Sequence, residues 1–146
     1  MASDKGNILY VARDIERALG KEPVGNYYIV TNKTPYSLEV QKQYPDNIFI
    51  VDSPDILDTY ELLMQKGVQN MIEELNASIL VFKNTIHIEA LCSEKKFKLL
   101  NPSAELSEKI ENKITQISWL DELSSLLPPH KIIYVKDIKW DKKPFI

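Results

Sequence analysis

Four short and almost uninterrupted apolar runs constrain the fold of this chain more than any other feature. They are residues 8–12, 27–30, 47–51 and 78–82, and none alternates strictly between apolar and polar side chains. Such runs are typical of strands buried on both faces, as in parallel sheets with helices on either side. The segments between them carry helical patterns. We therefore predict an α/β fold with an open, mainly parallel sheet and helices on both faces.

The segment between the third and fourth runs predicts a crossover helix or a broken pair of helices. Ser53 and Pro54 suit the N-cap and the first helical position. Gly67 is the weak point at which a pair would divide. Beyond the fourth run, residues 85–92 fit a further strand or a loop, and residues 96–100 fit a short strand.

A helix with one apolar stripe is predicted to begin at Ser103. Its apolar residues recur every three or four positions, and Lys113 lies near the edge of their stripe. Pro128 and Pro129 end the helical region, because they remove hydrogen-bond donors. Residues 132–135 then predict a strand. The stripe consists of Leu106, Ile110, Ile114, Ile117 and Leu120.

Composition and charge exclude several classes of protein. The chain has 146 residues, 44% of them hydrophobic, and a formal net charge of -3, which fits one globular core. It has no basic stripe of the kind that binds nucleic acid. No apolar run approaches the roughly 18 residues that span a bilayer. The single cysteine, Cys92, cannot form an internal disulfide. We therefore expect a cytoplasmic protein with neither nucleic acid nor a membrane as a partner.

The carboxyl ends of the predicted strands are polar, and ligands of open parallel sheets bind at those ends. Arg13 and Asp14 follow the first run. Asn32, Asp52 and Lys83 follow the other three, and they are our candidates for contacts with a substrate or another small ligand. The carboxylate of Asp52 suits a hydrogen bond from a hydroxyl group of the ligand. A small nucleotide- or sugar-binding domain would use the same three residues.

Other residues with chemical potential favour structural interpretations. The four glycines lie far apart, so the sequence has no glycine-rich phosphate loop. Asp55 and Asp58 are expected in the first turns of a helix, where they complement its dipole. His87 is expected on a strand facing solvent and His130 in an exposed turn, and neither has a second ligand at metal spacing. We predict no metal site.

The stretch "LLNPSAELSEKIENKITQISWLDELSSLLPPHKIIYV" resembles a junction found in ATP-grasp superfamily ligases. In that family a Rossmann-like pre-ATP-grasp domain is followed there by the ATP-binding module. The order of the upstream elements resembles the pre-ATP-grasp domain as well. The matching positions are Asn101, Pro102 and Ser103, then Asn112 and Lys113, Leu120, Pro128 and Pro129, and the strand 132–135.

The resemblance implies an enzyme that activates a carboxylate with ATP and Mg²⁺ through an acyl phosphate. The acyl group then passes to an amine or a similar nucleophile. Lys113 would be the first of two lysines that contact the ATP phosphates, because a flexible ammonium suits a phosphate oxygen. The alternative is that Lys113 is a solvated flank of the apolar stripe.

The resemblance also implies a division of the chain. Residues 1–102 would be the pre-ATP-grasp-like domain, and residues 103–146 the linking helix and first strands of an ATP-grasp module. The family's second lysine, adenine hinge and Mg²⁺ ligands lie further downstream. The chain would then be an N-terminal fragment without catalytic residues, with the rest of that module as its partner. An exposed apolar patch along residues 132–146 is expected, which a homo-oligomer would cover.

Two alternatives do not depend on the ligase family. The first is a stand-alone α/β interaction or regulatory domain without catalysis, because the fold alone does not define the function. The second is the small-ligand-binding domain that uses the polar strand ends.

Overall fold

The computed structural model describes residues 6–127, 131–137 and 139. These residues form two compact units, and the boundary between the units falls between Ser107 and Glu108. It lies a few residues beyond the division at 102/103 that the family resemblance implies. In the part of the chain that is described, no helix is both long and apolar enough to cross a membrane.

The first unit contains a four-stranded sheet in which every strand pairing is parallel. This confirms the predicted open parallel sheet, and each apolar run supplies one strand. Because the strands are covered on both sides, their side chains are apolar at consecutive positions and do not alternate. The strands are β1 (Ile8–Val11), β2 (Tyr27–Asn32), β3 (Ile48–Val51) and β4 (Ser78–Val81).

Helices cover both faces of the sheet, as predicted. Successive residues of β1 serve opposite faces, so that Leu9 and Val11 belong to one core cluster and Tyr10 to the other. The α-helices are α1 (Pro35–Gln43), α2 (Thr59–Met64), α3 (Lys66–Glu74), α4 (Ile86–Lys95), α5 (Ala104–Glu111) and α6 (Lys113–Trp119). Short 3₁₀ helices span Ile15–Arg17, Asp121–Leu126 and Val135–Asp137.

The strand order β3-β2-β1-β4 creates a switch point in the sheet. From β1 the chain steps to β2 and then to β3 in one direction. It next crosses back, through α2 and α3, to place β4 on the free side of β1. The chain that leaves the carboxyl end of β1 goes to β2 on one side, and the chain that leaves β4 goes through α4 to Leu99 on the other side, so a crevice opens at the carboxyl ends of these two strands.

The crossover begins later than the sequence predicts. Asp58, and not Ser53, is the N-cap of α2, and it forms a capping box in which its side chain accepts from the Glu61 N–H. Asp55 lies in the preceding loop. The predicted pair of helices is present, but the break falls at Gln65 and Gly67 lies inside α3. The extended backbone of Gln65, and not the flexibility of glycine, separates the two helices.

The segment 85–92 is helical, so its prediction as a strand or a loop is wrong. Thr85 caps the N-terminus of α4, and its hydroxyl accepts from the Ile88 N–H. Ile88, Leu91 and Cys92 are buried at helical spacing, which explains the apolar positions without a strand. Residues 96–100 form no full strand either, because only Leu99 makes an isolated bridge, to Ile79 on the outer side of β4.

The region after Ser103 forms two helices where the sequence predicts one. Ser103 caps α5, with its Oγ 3.2 Å from the Leu106 nitrogen, as expected for the start of this region. Asn112 has extended backbone and caps α6, accepting from the Ile114 N–H at 2.9 Å, which breaks the helical run. The predicted strand at 132–135 is absent, and the residues there are exposed. His130 lies outside the described residues.

Candidate functional site

A cleft of about 660 Å³ lies within the first unit, at the switch point between β1 and β4. Its walls come from the segments that follow these two strands and from the first turns of α2 and α4. The sheet thus brings together residues from three separate stretches of the sequence. The cleft is lined by Arg13, Asp14, Arg17, Asp58, Thr59, Tyr60, Phe82, Lys83, Thr85, His87 and Ile88.

One wall of the cleft carries two arginines around a single carboxylate. The Nε atoms of Arg13 and Arg17 lie 3.8 Å and 3.5 Å from the two carboxylate oxygens of Asp14. The guanidinium carbon of Arg17 also lies 4.2 Å from the centroid of the Phe82 ring. The charge of Arg17 is therefore oriented by a carboxylate on its own segment and by an aromatic face from the segment after β4.

Two further aromatic rings line the cleft from the starts of α2 and α4. The Tyr60 and His87 ring centroids are 6.0 Å apart, and the ring planes are tilted by 57°. Each residue follows its helix's N-cap by two positions, so the capping interactions of Asp58 and Thr85 set the direction from which the two rings enter. His87 is exposed and Tyr60 is half-buried.

Asn32 holds the backbone beneath the arginines. Its side-chain amide donates to the carbonyl oxygens of Arg13 at 2.9 Å and Leu57 at 2.8 Å, and its oxygen accepts from the Leu57 N–H at 2.9 Å. Thr31 adds a hydrogen bond to the same Arg13 carbonyl at 3.3 Å. Asn32 is 1% exposed, so it fixes the loops after β1 and before α2 from inside the fold.

A second buried amide lies beside the cleft-lining residue Lys83. The nitrogen of Asn84 donates to the Pro102 carbonyl at 2.9 Å. Its side-chain oxygen is buried and, among the residues that the structure describes, is the buried side-chain polar atom without a hydrogen-bond partner. Sequence reasoning did not single out Asn84.

The sequence candidates are not gathered in one place. Lys83 lines the cleft, whereas Asn32 is buried below it. Asp52 is exposed and forms an ion pair with Lys33 at 2.6 Å, outside the cleft lining. Lys113 belongs to the second unit, where it is the first residue of α6, is exposed, and donates to the Gln116 side chain at 3.0 Å. Their roles as ligand contacts remain predictions.

Sequence reasoning missed most of the residues that line the cleft. It recognised Arg13 and Asp14 only as a polar strand end, and it assigned His87 to a strand. Arg17, Tyr60 and Phe82 carried no motif that would distinguish them from ordinary surface or packing residues. The signal that finds them is the strand order, because it makes the ends of β1 and β4 neighbours.

Burial changes the acidity of three side chains next to the cleft or deeper in the core. It raises the pKa of Tyr10, an effect that the positive charge of Arg17 partly opposes. Burial, together with the proximity of Tyr10, raises the pKa of Tyr27 to about 12. Burial also raises the pKa of the Cys92 thiol. Each of these pKa shifts favours the protonated form of its group.

Within the described ranges, no group of three or more histidine, cysteine, aspartate or glutamate residues could hold a metal ion. No protein-family model, curated protein or solved structure matches this chain.

Proposed function

We propose that this chain binds a small organic anion in the cleft between β1 and β4. The observation that carries the proposal is the presence of three cationic side chains, those of Arg13, Arg17 and Lys83, in the lining of one cleft at the switch point. Crevices at such points are the usual ligand sites of open α/β sheets. A volume of about 660 Å³ is also within the ordinary size of a small-molecule site.

The local charge favours an anion although the chain as a whole is acidic. The net charge of the chain is -3, yet the cleft lining contains three lysine or arginine side chains and two carboxylates. Of the two carboxylates, Asp58 is engaged in capping α2. Asp14 lies 3.5 Å or more from the arginine nitrogens that it pairs with. A guanidinium has five N–H donors, more than one such carboxylate can use.

The connection after β1 argues against a dinucleotide held by backbone amides. That mode of binding needs closely spaced glycines between the first strand and a long helix. Here Arg13 and Asp14 occupy that position, and the helical turn that follows is the 3₁₀ segment Ile15–Arg17. Recognition of an anion in this cleft therefore depends on side chains.

The experiment is a calorimetric titration of the chain with inorganic phosphate and with acetate, repeated on Arg17→Gln. Loss of one charged contact should weaken binding by about tenfold. Lys42→Gln is the matched control, because Lys42 lies on α1, is exposed and pairs with Glu39 outside the cleft. Binding that is unchanged in Arg17→Gln, or absent from the unaltered chain, would contradict the proposal.

A second candidate is the N-terminal domain of an ATP-dependent carboxylate ligase, as the sequence resemblance implies. The α/β Rossmann-like fold agrees with it at a coarse level. One specific observation favours it: the apolar run at 132–135 is exposed, with Val135 84% and Tyr134 76% accessible. In this proposal the run is covered by the rest of an ATP-grasp module, and the cleft contributes to the pocket for the carboxylate substrate.

In the ligase proposal the Mg²⁺ ligands belong to the downstream part of the ATP-grasp module, and within the described residues no group of three or more carboxylate, histidine or cysteine side chains could hold a metal ion. In the ligase proposal, ATP is contacted here through Lys113, and no other nucleotide contact is assigned. The test is ATP-dependent phosphate release by the longest polypeptide that the gene encodes, together with ATP affinity in Lys113→Ala and in the nearby control Lys109→Ala. Equal ATP affinity in the two variants would remove Lys113 from the proposal.

A further inference from the structure

The cleft has a cationic wall and an aromatic wall, and from this division we infer that its ligand is a small aromatic carboxylate. The inference rests on the proposed function, because it assumes that an anion binds at the arginines. It adds the chemical class of the ligand. The carboxylate would contact Arg13 and Arg17, and the ring of the ligand would lie against Tyr60 and His87.

The part of the cationic wall formed by Arg13 and Arg17 suits a carboxylate because both of its charges are planar guanidinium groups. A guanidinium matches the two oxygens of a carboxylate with two parallel N–H donors, whereas an ammonium offers only a point charge. Arg17 is held by Asp14 on one side and by the Phe82 face on another. This restraint reduces the conformational entropy that the Arg17 side chain loses when it binds a ligand.

The aromatic wall, formed by Tyr60 and His87 beside Phe82, suits a flat ring because all three rings line the cleft and those of His87 and Phe82 are exposed. The tilted pair of Tyr60 and His87 has a centroid separation of 6.0 Å, which is within the range of favourable ring contacts. Phe82 is 59% exposed although it is large and apolar, and its ring borders the same cleft. The ring of a ligand placed among these three residues would make offset or edge-to-face contacts that an aliphatic body cannot reproduce.

The two walls belong to one continuous cleft and come from different strands and helices. The arginines follow β1, while Tyr60 opens α2 and His87 opens α4. A ligand that satisfies both walls must carry its charge and its ring in one compact molecule. An acid such as benzoate has both features and is small enough for a cleft of about 660 Å³.

The experiment compares four probes by calorimetric titration of the chain: benzoate, cyclohexanecarboxylate, acetate and inorganic phosphate. Benzoate should bind about threefold or more tightly than cyclohexanecarboxylate, which has the same charge and similar size, and about tenfold more tightly than acetate. Tyr60→Leu and His87→Leu should each reduce the preference for benzoate over cyclohexanecarboxylate, because each removes one ring of the aromatic wall. Tyr36→Leu, an exposed tyrosine on α1, is the matched control.

The outcomes separate this inference from the proposed function. Equal affinities for benzoate and cyclohexanecarboxylate, or tighter binding of phosphate than of benzoate, would overturn the aromatic carboxylate and leave an anion site. If Tyr60→Leu unfolds, the exposed His87→Leu variant still decides the question. A chain that binds none of the four probes would overturn the anion site and the inference together.

Discussion

The guanidinium carbon of Arg17 lies 4.2 Å from the centroid of the Phe82 ring, which links the segment after β1 to the segment after β4. The contact spans the switch point between β1 and β4, where the order in which the chain adds strands reverses. Through this contact the exposed ring of Phe82 orients the positive charge of Arg17 in the cleft. The most direct predictions concern this contact and the buried groups that support it.

Replacing Phe82 by leucine should weaken anion binding without unfolding the chain. The variant loses the cation–π contact with Arg17, which at an exposed site contributes about 0.5–1 kcal/mol, so the affinity for phosphate or acetate should fall about two- to fivefold. Phe82 is 59% exposed, and the free energy of unfolding should change by less than about 0.5 kcal/mol. Calorimetry and urea unfolding measure the two quantities. An unchanged affinity would show that the ring does not orient Arg17.

Replacing Asn32 by alanine should destabilise the fold strongly. The change removes the side-chain partner of the Leu57 N–H and carbonyl, and one of the two side-chain donors to the Arg13 carbonyl, where Thr31 remains. We expect a loss of about 2–4 kcal/mol in the free energy of unfolding, measured with urea. Asp52→Asn is the control, because it removes only an exposed ion pair with Lys33, worth about 0–1 kcal/mol. Similar losses in both variants would contradict this role of Asn32.

The stability of the chain should fall at alkaline pH because of Tyr27. The hydroxyl of Tyr27 donates to the Ala18 carbonyl at 2.8 Å. Its pKa rises from 10.0 to about 12 on folding. The folded state therefore holds the Tyr27 proton more tightly than the unfolded state does. The resulting contribution of Tyr27 to the free energy of unfolding is fully present below pH 10.0 and is lost as the pH rises towards about 12.

The variant Tyr27→Phe isolates that contribution. At about pH 8 it should be less stable by roughly 1 kcal/mol, because the buried hydrogen bond to Ala18 is lost. Between pH 10 and about 12 its free energy of unfolding should fall less steeply than that of the unaltered chain. Urea unfolding across this pH range measures both effects, with the exposed Tyr36→Phe as the control. Parallel curves for Tyr27→Phe and the unaltered chain would be inconsistent with the raised pKa.

Cys92 should react with thiol reagents only when the first unit opens. The side chain is 2% exposed, and its burial raises the pKa of the thiol, so the folded chain contains little of the reactive thiolate at neutral pH. Labelling with an aromatic disulfide should be slow in buffer and should accelerate as urea approaches the unfolding midpoint. Cys92→Ser, the negative control, should show no labelling. Rapid stoichiometric labelling in the absence of urea would show that the thiol is accessible.

Much of the sheet could be predicted from the sequence, because the information is local. Each apolar run became a strand, and the lack of alternation within the runs correctly indicated a parallel sheet covered on both faces. Helix boundaries were less well predicted. Helix α2 begins at the cap Asp58, beyond Ser53 and Pro54, although these two residues suit a helix start equally well in isolation. The segment after the cap Thr85 alternates in its sequence but forms α4.

The candidate site could be predicted only in part. Lys83 was a candidate from its place after β4, and Arg13 was noted only as part of the polar end of β1. Nothing in the sequence shows that these two strand ends are adjacent. Asn32 was identified as polar and well placed, yet in the structure it serves the backbone of Arg13 and Leu57. The hydrogen-bond partners of a residue such as Asn32 come from distant segments of the chain, and the periodicity of apolar residues in the sequence does not show which segments meet.

The amino-acid sequence by itself therefore determined that this chain forms a layered α/β sheet, since the burial pattern of a strand is encoded in consecutive residues. The tertiary structure alone decided that β4 pairs with β1. That pairing depends on the long crossover through α2 and α3, and it places Phe82 against Arg17 and completes the cleft. The physical reason is that secondary structure follows from local burial and capping, whereas a binding site follows from which strand ends become neighbours.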